Sequence, residues 1–310
     1  MNVLPYIQIT RPRHWFKNVF VIPGFLLAFF FDPRLLTGGR CLKILLGLAC
    51  ACIIASSNYV LNEILDAEYD RHHPEKKHRP IAAGKADAKI AYCLWIFLGL
   101  AGIALSLFVS LRFAVAALLF WVMAILYNTP PIRLKDTPYA DVLSEAVNNP
   151  IRLAMGWYST GLVSPPPLSI ILAYWMFGCF LMAVKRFAEY RHINDPHIAG
   201  RYRAPFSYYT EERLLLSILF YAAFFGMMSG VFITRYRLEL VLASPLIAYT
   251  MAYYLHIGFK PNSPAQKPET LLQQKKLVVL VFLTFVTCIV LLFYDITFFR
   301  EALIPKILPF

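Results

Sequence analysis

The chain has 310 residues, 59% of them hydrophobic and 15% charged, with a mean hydropathy of +0.57 and a formal net charge of +12. A soluble domain carries about 45–50% apolar and about 25% charged residues, so the composition excludes an ordinary soluble protein and indicates an integral membrane one. The positive charge reads as membrane topology and attraction to anionic lipid headgroups, which excludes nucleic acid as a partner.

A membrane-crossing helix needs about 20 mostly apolar residues, because lipid offers no partner to a bare backbone group. In chain order, nine stretches meet that demand, near 16–31, 41–62, 88–110, 113–127, 140–161, 168–189, 213–234, 238–257 and 276–295. The expected fold is therefore all-α, a polytopic membrane protein of about nine helices forming a single domain over 1–310. The first stretch has basic flanks but no small-residue cleavage site after it, and is expected to stay as a helix. The fifth is unusual in holding Glu145, Asn148, Asn149 and Arg152. Of the 30 Lys and Arg, 21 fall on the side of the N-terminus and 8 on the opposite side. The N-terminus and that set of loops are thus expected in the cytoplasm, and the membrane is expected to be the inner one.

Between the spans, Pro-rich pieces mark turns at 128–138, 164–167 and 259–268. Two long loops, 66–89 and 190–212, each follow a span with polar last turns and precede two spans joined by a short turn. That pattern suggests two four-helix halves with one helix added. The six cysteines show no C-x-x-C pair and read as small packing residues. His72 and His73 are adjacent, so they do not face one metal site on a helix or turn.

The chemistry concentrates in "NEILDAEYDRHHPEKKHRPIAAG", residues 62–84, which carries nine charged side chains directly after an apolar run. If helix continues through Asp70, then Asn62, Asp66 and Asp70 fall at i, i+4 and i+8. They then share an arc of roughly 80° over about 12 Å. Two carboxylates at i, i+4 repel, and a hard divalent cation relieves that repulsion. Magnesium is held by one or two carboxylates together with substrate phosphates. The basic run that follows Asp70 is suited to the rest of the phosphate charge. A solvated helix end is the plain alternative, but Asn62 sits at membrane depth, where polar groups mark function. Two further clusters lie on the same expected side. Lys185, Arg186 and Glu189 end the sixth span, where a snorkelling Lys–Glu pair is the plain reading. "RPRHWFKN" (11–18) places Arg13, Lys17 and Asn18 beside Trp15.

At these residues the sequence resembles the UbiA superfamily of intramembrane prenyltransferases, with its N-x-x-x-D-x-x-x-D motif after the second of nine helices. "RPRHWFKN", the 62–84 stretch, "KRFAE" (185–189), "YTEERLL" (209–215) and "PETLL" (268–272) bring it nearest to the branch that transfers phosphoribose to decaprenyl phosphate. "KRFAE" stands where quinone-type members carry a second D-x-x-x-D. Glu63 follows Asn62 where the family usually has Asp, and "LLQQKK" (271–276) departs from the family pattern.

The resemblance implies a helical bundle around a lipid-open cavity, magnesium at Asn62, Asp66 and Asp70, phosphoribosyl pyrophosphate as donor and a polyprenyl phosphate as acceptor. Asp66, Asp70 and Lys185 are the expected catalytic groups. Arg71, Arg79, Lys185 and Arg186, with Glu189, are expected at the donor phosphates. Arg13, Lys17 and Asn18 are expected at the lipid phosphate, and Tyr127 and Lys135 near the end of the fourth span. Two rival readings stay open: a prenyl-diphosphate-dependent aromatic prenyltransferase, for which "DVLSE" (141–145) is a misplaced second acidic motif, and a non-catalytic transporter or lipid-binding protein.

Overall fold

A computed structural model describes residues 3–71, 76–193, 200, 202–266 and 268–296. Among these residues there is helix and no strand. Twelve α-helices follow in chain order: α1 Leu4–Ile9, α2 Ile22–Phe31, α3 Gly38–Arg71, α4 Ala88–Val109, α5 Leu111–Asn128, α6 Ala140–Ala146, α7 Asn148–Ser159, α8 Leu168–Ile193, α9 Glu211–Tyr236, α10 Ser244–Gly258, α11 Pro268–Leu271 and α12 Lys275–Phe293. Among the described residues, eight segments are long and apolar enough to cross a membrane, the first formed by Leu4–Phe31. The 140–161 stretch is helical as expected but broken at Val147 into α6 and α7. Pro150 explains the break, since it has no N–H for the Ala146 carbonyl four residues back and its ring crowds that carbonyl. His72 and His73 lie outside the described residues.

The helix ends follow local chemistry. Asp87 accepts from the backbone N–H groups of Lys89 and Ile90 at the start of α4. Ser110 caps α5 through Phe113 N–H, and Thr210 caps α9 through Arg213 N–H, satisfying donors that a helix start leaves open.

The residues fall into two compact units, 1–166 with 202–205, and 167–201 with 206–310. The division lies in the Pro165–Pro167 run that the sequence marks as a turn. In the first unit, the 34-residue α3 is about 51 Å long against a hydrocarbon thickness of about 30 Å. The helix is therefore longer than the apolar layer is thick, and its last turns carry Asn62, Asp66 and Asp70. Its middle packs Cys50, Ala51, Ile54 and Ala55 against Phe113, Ala117 and Phe120 of α5 and Met155 of α7. A Cβ on Gly24 would stand 2.0 Å from Leu153 O, and one on Gly156 would stand 2.0 Å from Val21 O. Only glycine lets α2 and α7 approach backbone to backbone, the close crossing that holds helices together where lipid removes the hydrophobic drive. In the second unit, Arg237 and Glu239 form a buried pair at 3.2 Å. Large apolar side chains such as Phe97, Phe108, Leu219 and Phe220 are exposed, as lipid-facing positions require.

Candidate functional site

Helix α3 runs unbroken to Arg71, so Asn62, Asp66 and Asp70 share one helix at the expected i, i+4, i+8 spacing. Asn62 Nδ2 donates to Asp66 Oδ2 (3.1 Å) and to Asn128 Oδ1 (2.8 Å), which leaves its own oxygen as an acceptor. Asp66 Oδ1 accepts from Lys135 Nζ at 2.5 Å and from Arg133 Nη2 at 3.2 Å. Asp70 Oδ2 takes Arg79 Nη1 at 2.5 Å. Lys135 also donates to Asn128 Oδ1 (2.9 Å), so Asn128, the last residue of α5, ties Asn62 and Lys135 together.

The loop after α5 delivers two cations to one carboxylate. Arg133 reaches Asp66 from a left-handed backbone, φ 31°, a conformation that costs a non-glycine residue about 1–2 kcal/mol. The compensation is an ion pair to Asp136 (2.7 Å), the one to Asp66, and a place over the Tyr69 ring at 5.1 Å. Arg11, also left-handed at φ 48°, reaches back to α3 in the same way and pairs with Glu63 at 3.1 Å. Glu63 also accepts from Ile81 N–H, so it pins the N-terminal segment and the 79–86 turn. The departure from the usual Asp therefore serves packing on another face of α3.

Charge around the acid face is mostly positive. Burial, then Arg79 and Arg203, hold the Lys76 ammonium below its ordinary range. Burial also lowers Lys135, and Asp66 pulls it partly back. Lys76, Arg79, Arg133, Lys135 and Arg203 stand against Asp66, Asp70 and Asp136, a surplus of two positive charges among these eight residues. Such a face is built for a polyanion. Asn62, Asp66 and Asp70 offer oxygen donors alone, the set a magnesium ion takes when phosphate completes its shell. Among the described residues no three His, Cys, Asp or Glu cluster as a metal cage.

The remaining expected residues are placed as follows. Arg71 ends α3 and is exposed, as is Arg13. Lys17 lies 5.9 Å over the Tyr59 ring. Asn18 is buried, donating to Cys52 Sγ (3.2 Å) and accepting from Arg152 Nε (3.0 Å), so both ends of its amide are used in packing. Tyr127 is half-buried one residue before Asn128. In the second unit, Glu189 pairs with Arg186 at 3.0 Å and with Lys185 at 3.8 Å, all within the last turns of α8. Sequence reading missed Arg133, Asn128 and Arg203, and covered Lys76 as part of the basic run after Asp70. The Asn128 signal was available, a polar residue ending an apolar span, whereas Arg133 and Arg203 become site neighbours only through tertiary structure.

The chain is thus a polytopic helical membrane protein with an oxygen-donor face set among surplus cations. The UbiA prenyltransferase family model matches residues 18–273, and the chain belongs to that family and is a transferase. Curated relatives include a decaprenyl-phosphate phosphoribosyltransferase of Mycolicibacterium smegmatis, 31% identical over 185 residues, covering 59% of this chain and 56% of that one. Another is the decaprenyl-phosphate phosphoribosyltransferase of Corynebacterium glutamicum, 29% identical over 187 residues, covering 59% and 54%. The match thus spans just over half the length of either relative. Among solved structures, a UbiA homolog from Archaeoglobus fulgidus bound to GPP and Mg2+ superposes with a TM-score of 0.70 at 20% identity, over 92% of this chain and 99% of that one. That likeness establishes the fold.

Proposed function

We propose that the chain transfers 5-phosphoribose from phosphoribosyl pyrophosphate to a polyprenyl phosphate, with magnesium, at the cytoplasmic face of the inner membrane. The observation that carries this reading is the acid face of α3 set among surplus cations, Asp66 held by Lys135 and Arg133 and Asp70 by Arg79. The names of the mycobacterial and corynebacterial relatives support the donor, as does the last turn of α8. That turn carries two cations to one carboxylate, a poor seat for a second metal ion.

In the reaction the bond between the anomeric carbon and the diphosphate oxygen breaks, its electron pair leaves with the diphosphate, and an oxygen of the lipid phosphate bonds to that carbon. Asn62, Asp66 and Asp70 are the residues that would hold magnesium, which when bound draws charge off the leaving diphosphate. Arg79, Arg133, Lys135 and Lys76 meet the remaining phosphate charge, with Arg71 at the helix end. Lys185 and Arg186 are assigned to donor phosphate and Arg13 and Lys17 to lipid phosphate. A phosphate monoester has its second pKa near 6, so the attacking oxygen is already ionised and no general base is needed. Positioning and charge neutralisation supply the rate.

A prenyl diphosphate donor is the second reading, and the Archaeoglobus fulgidus structure bound to GPP and Mg2+ favours it. A transporter without catalysis does not fit a family of transferases. The two donors separate by ligand stabilisation, since a ligand that binds only the folded state adds RT ln(1 + [L]/Kd). Phosphoribosyl pyrophosphate with magnesium is expected to raise the unfolding temperature of the purified protein more than geranyl diphosphate at matched concentration. Strong stabilisation by geranyl diphosphate and none by phosphoribosyl pyrophosphate would replace the first reading with the second.

A further inference from the structure

The polar stripe of α3 does not begin at Asn62. One turn deeper stands Asn58, so Asn58, Asn62, Asp66 and Asp70 climb one face at four-residue steps. Asn58 Nδ2 donates to Phe120 O on α5 (3.1 Å), while its Oδ1 is enclosed and has no hydrogen-bond partner among the described residues. On α7, Asn148 Nδ2 donates to Glu145 O (3.1 Å), and its Oδ1 is likewise enclosed with no partner among them. The two asparagines meet through Phe120 and Arg152. Phe120 gives Asn58 its carbonyl, and its ring lies 4.5 Å beneath the Arg152 guanidinium. Arg152 Nη1 in turn donates to Asn148 O at 3.4 Å.

Buried polar atoms are almost always hydrogen-bonded, so two open acceptors linked through Phe120 and Arg152 call for a donor. Phosphate at neutral pH brings acceptors, and a prenyl chain brings neither donors nor acceptors. Hydroxyl groups bring donors. Both side chains are partly exposed although these oxygens are enclosed, and the broad χ2 of asparagine lets a modest rotation present each oxygen. We propose that Asn58 and Asn148 form a sugar subsite, in which their side-chain oxygens accept from the ring hydroxyls of the ribosyl donor while Asp66 and Asp70 serve its diphosphate. Arg152 is a positioning residue that holds the Asn148 turn against Phe120. This subsite rests on the phosphoribosyl reading above.

The test compares magnesium phosphoribosyl pyrophosphate with magnesium pyrophosphate, which has the same anion and no sugar, by calorimetric titration of the purified full chain. The wild type is expected to bind the sugar-bearing ligand more tightly. Asn58→Leu and Asn148→Ala are each expected to lose about 5–10-fold of that affinity, the worth of one hydrogen bond, with pyrophosphate affinity unchanged. If both ligands weaken equally, or neither does, the asparagines serve packing or a bound water and the subsite is wrong. Should a variant fail to fold, the 2-deoxyribosyl donor tests the wild type directly. It is expected to bind about 5–10-fold more weakly, and equal binding of the deoxy and ribosyl donors overturns the proposal. A wild type that prefers geranyl diphosphate and ignores phosphoribosyl pyrophosphate defeats the parent reading instead. That result is distinct from one in which the ribosyl donor binds and the asparagines do not matter.

Discussion

Asp66→Asn tests the site most sharply, because the side chain keeps its shape and loses only its charge. In the folded protein Asp66 Oδ1 has Lys135 at 2.5 Å and Arg133 at 3.2 Å, and Lys135 is 7% exposed. The substitution leaves both cations without that counter-charge in a partly dry site. A hydrogen bond to a charged partner contributes about 1.5–3 kcal/mol, and removing one member of a buried pair costs more than the pair itself is worth. We expect a stability loss of about 3 kcal/mol without ligand. Lys135→Met removes one cation but leaves Asp66 with Arg133 and Asn62, and should cost about 1–2 kcal/mol. In the double variant the two losses overlap, so the cycle should show a coupling of about 1–2 kcal/mol. The assay is SDS unfolding in mixed micelles, followed by tryptophan fluorescence, with chelator present. Additivity to within about 0.5 kcal/mol would refute the claim that Lys135 is the counter-charge of Asp66 in the metal-free protein. The same Asp66→Asn protein should lose transfer by about 100-fold or more, the scale of losing one preorganised electrostatic group.

Lys76 gives a pH test. Burial and the neighbouring Arg79 and Arg203 lower its pKa below its unfolded value, so the charged ammonium costs stability at neutral pH, and that cost fades as pH rises through the folded pKa toward 10.5. Lys76→Met should therefore stabilise the unliganded protein at pH 7 while weakening pyrophosphate binding several-fold. The alkaline decline in wild-type pyrophosphate affinity should shrink in the variant, with Lys135 carrying what remains, as calorimetry across pH 7–10 would reveal. For the α8 cluster, Lys185→Met should raise the donor KM several-fold, and adding Glu189→Gln should not restore it, because the lost cation met donor phosphate and not only Glu189. Full rescue in steady-state kinetics would reduce the cluster to a local ion pair. Gly156→Ala places a Cβ 2.0 Å from Val21 O, a backbone atom that cannot swing aside, so the α2–α7 crossing must open. We expect a loss of about 1–3 kcal/mol in SDS unfolding, and a neutral result would remove the close-crossing account.

Much of the fold was legible because lipid imposes one rule, an apolar run of fixed length, and the runs stand out in this sequence. The exception is instructive. Residues 140–161 have the length of a span, but Pro150 cannot donate to the Ala146 carbonyl four residues back, and the chain breaks at Val147. The acid face was legible from the i, i+4, i+8 spacing alone, and Lys135 from its place after a span. What surrounds it was not. Arg133 acts on Asp66 across 67 positions and Arg11 on Glu63 across 52, through backbone turns that no periodicity announces. Asn58 was missed for a different reason: it extends the visible stripe by one step, but its setting beside Phe120 and Arg152 appears only when α3, α5 and α7 are packed.

The central claim is the identity of the transferred group, and mass spectrometry of the lipid product decides it. Purified protein in lipid, given magnesium, phosphoribosyl pyrophosphate and a polyprenyl phosphate, is expected to yield the polyprenyl phosphoribose phosphate with release of pyrophosphate, and Asp66→Asn to yield none. A protein that leaves phosphoribosyl pyrophosphate untouched and instead attaches a prenyl group from geranyl diphosphate to an aromatic acceptor would contradict the account.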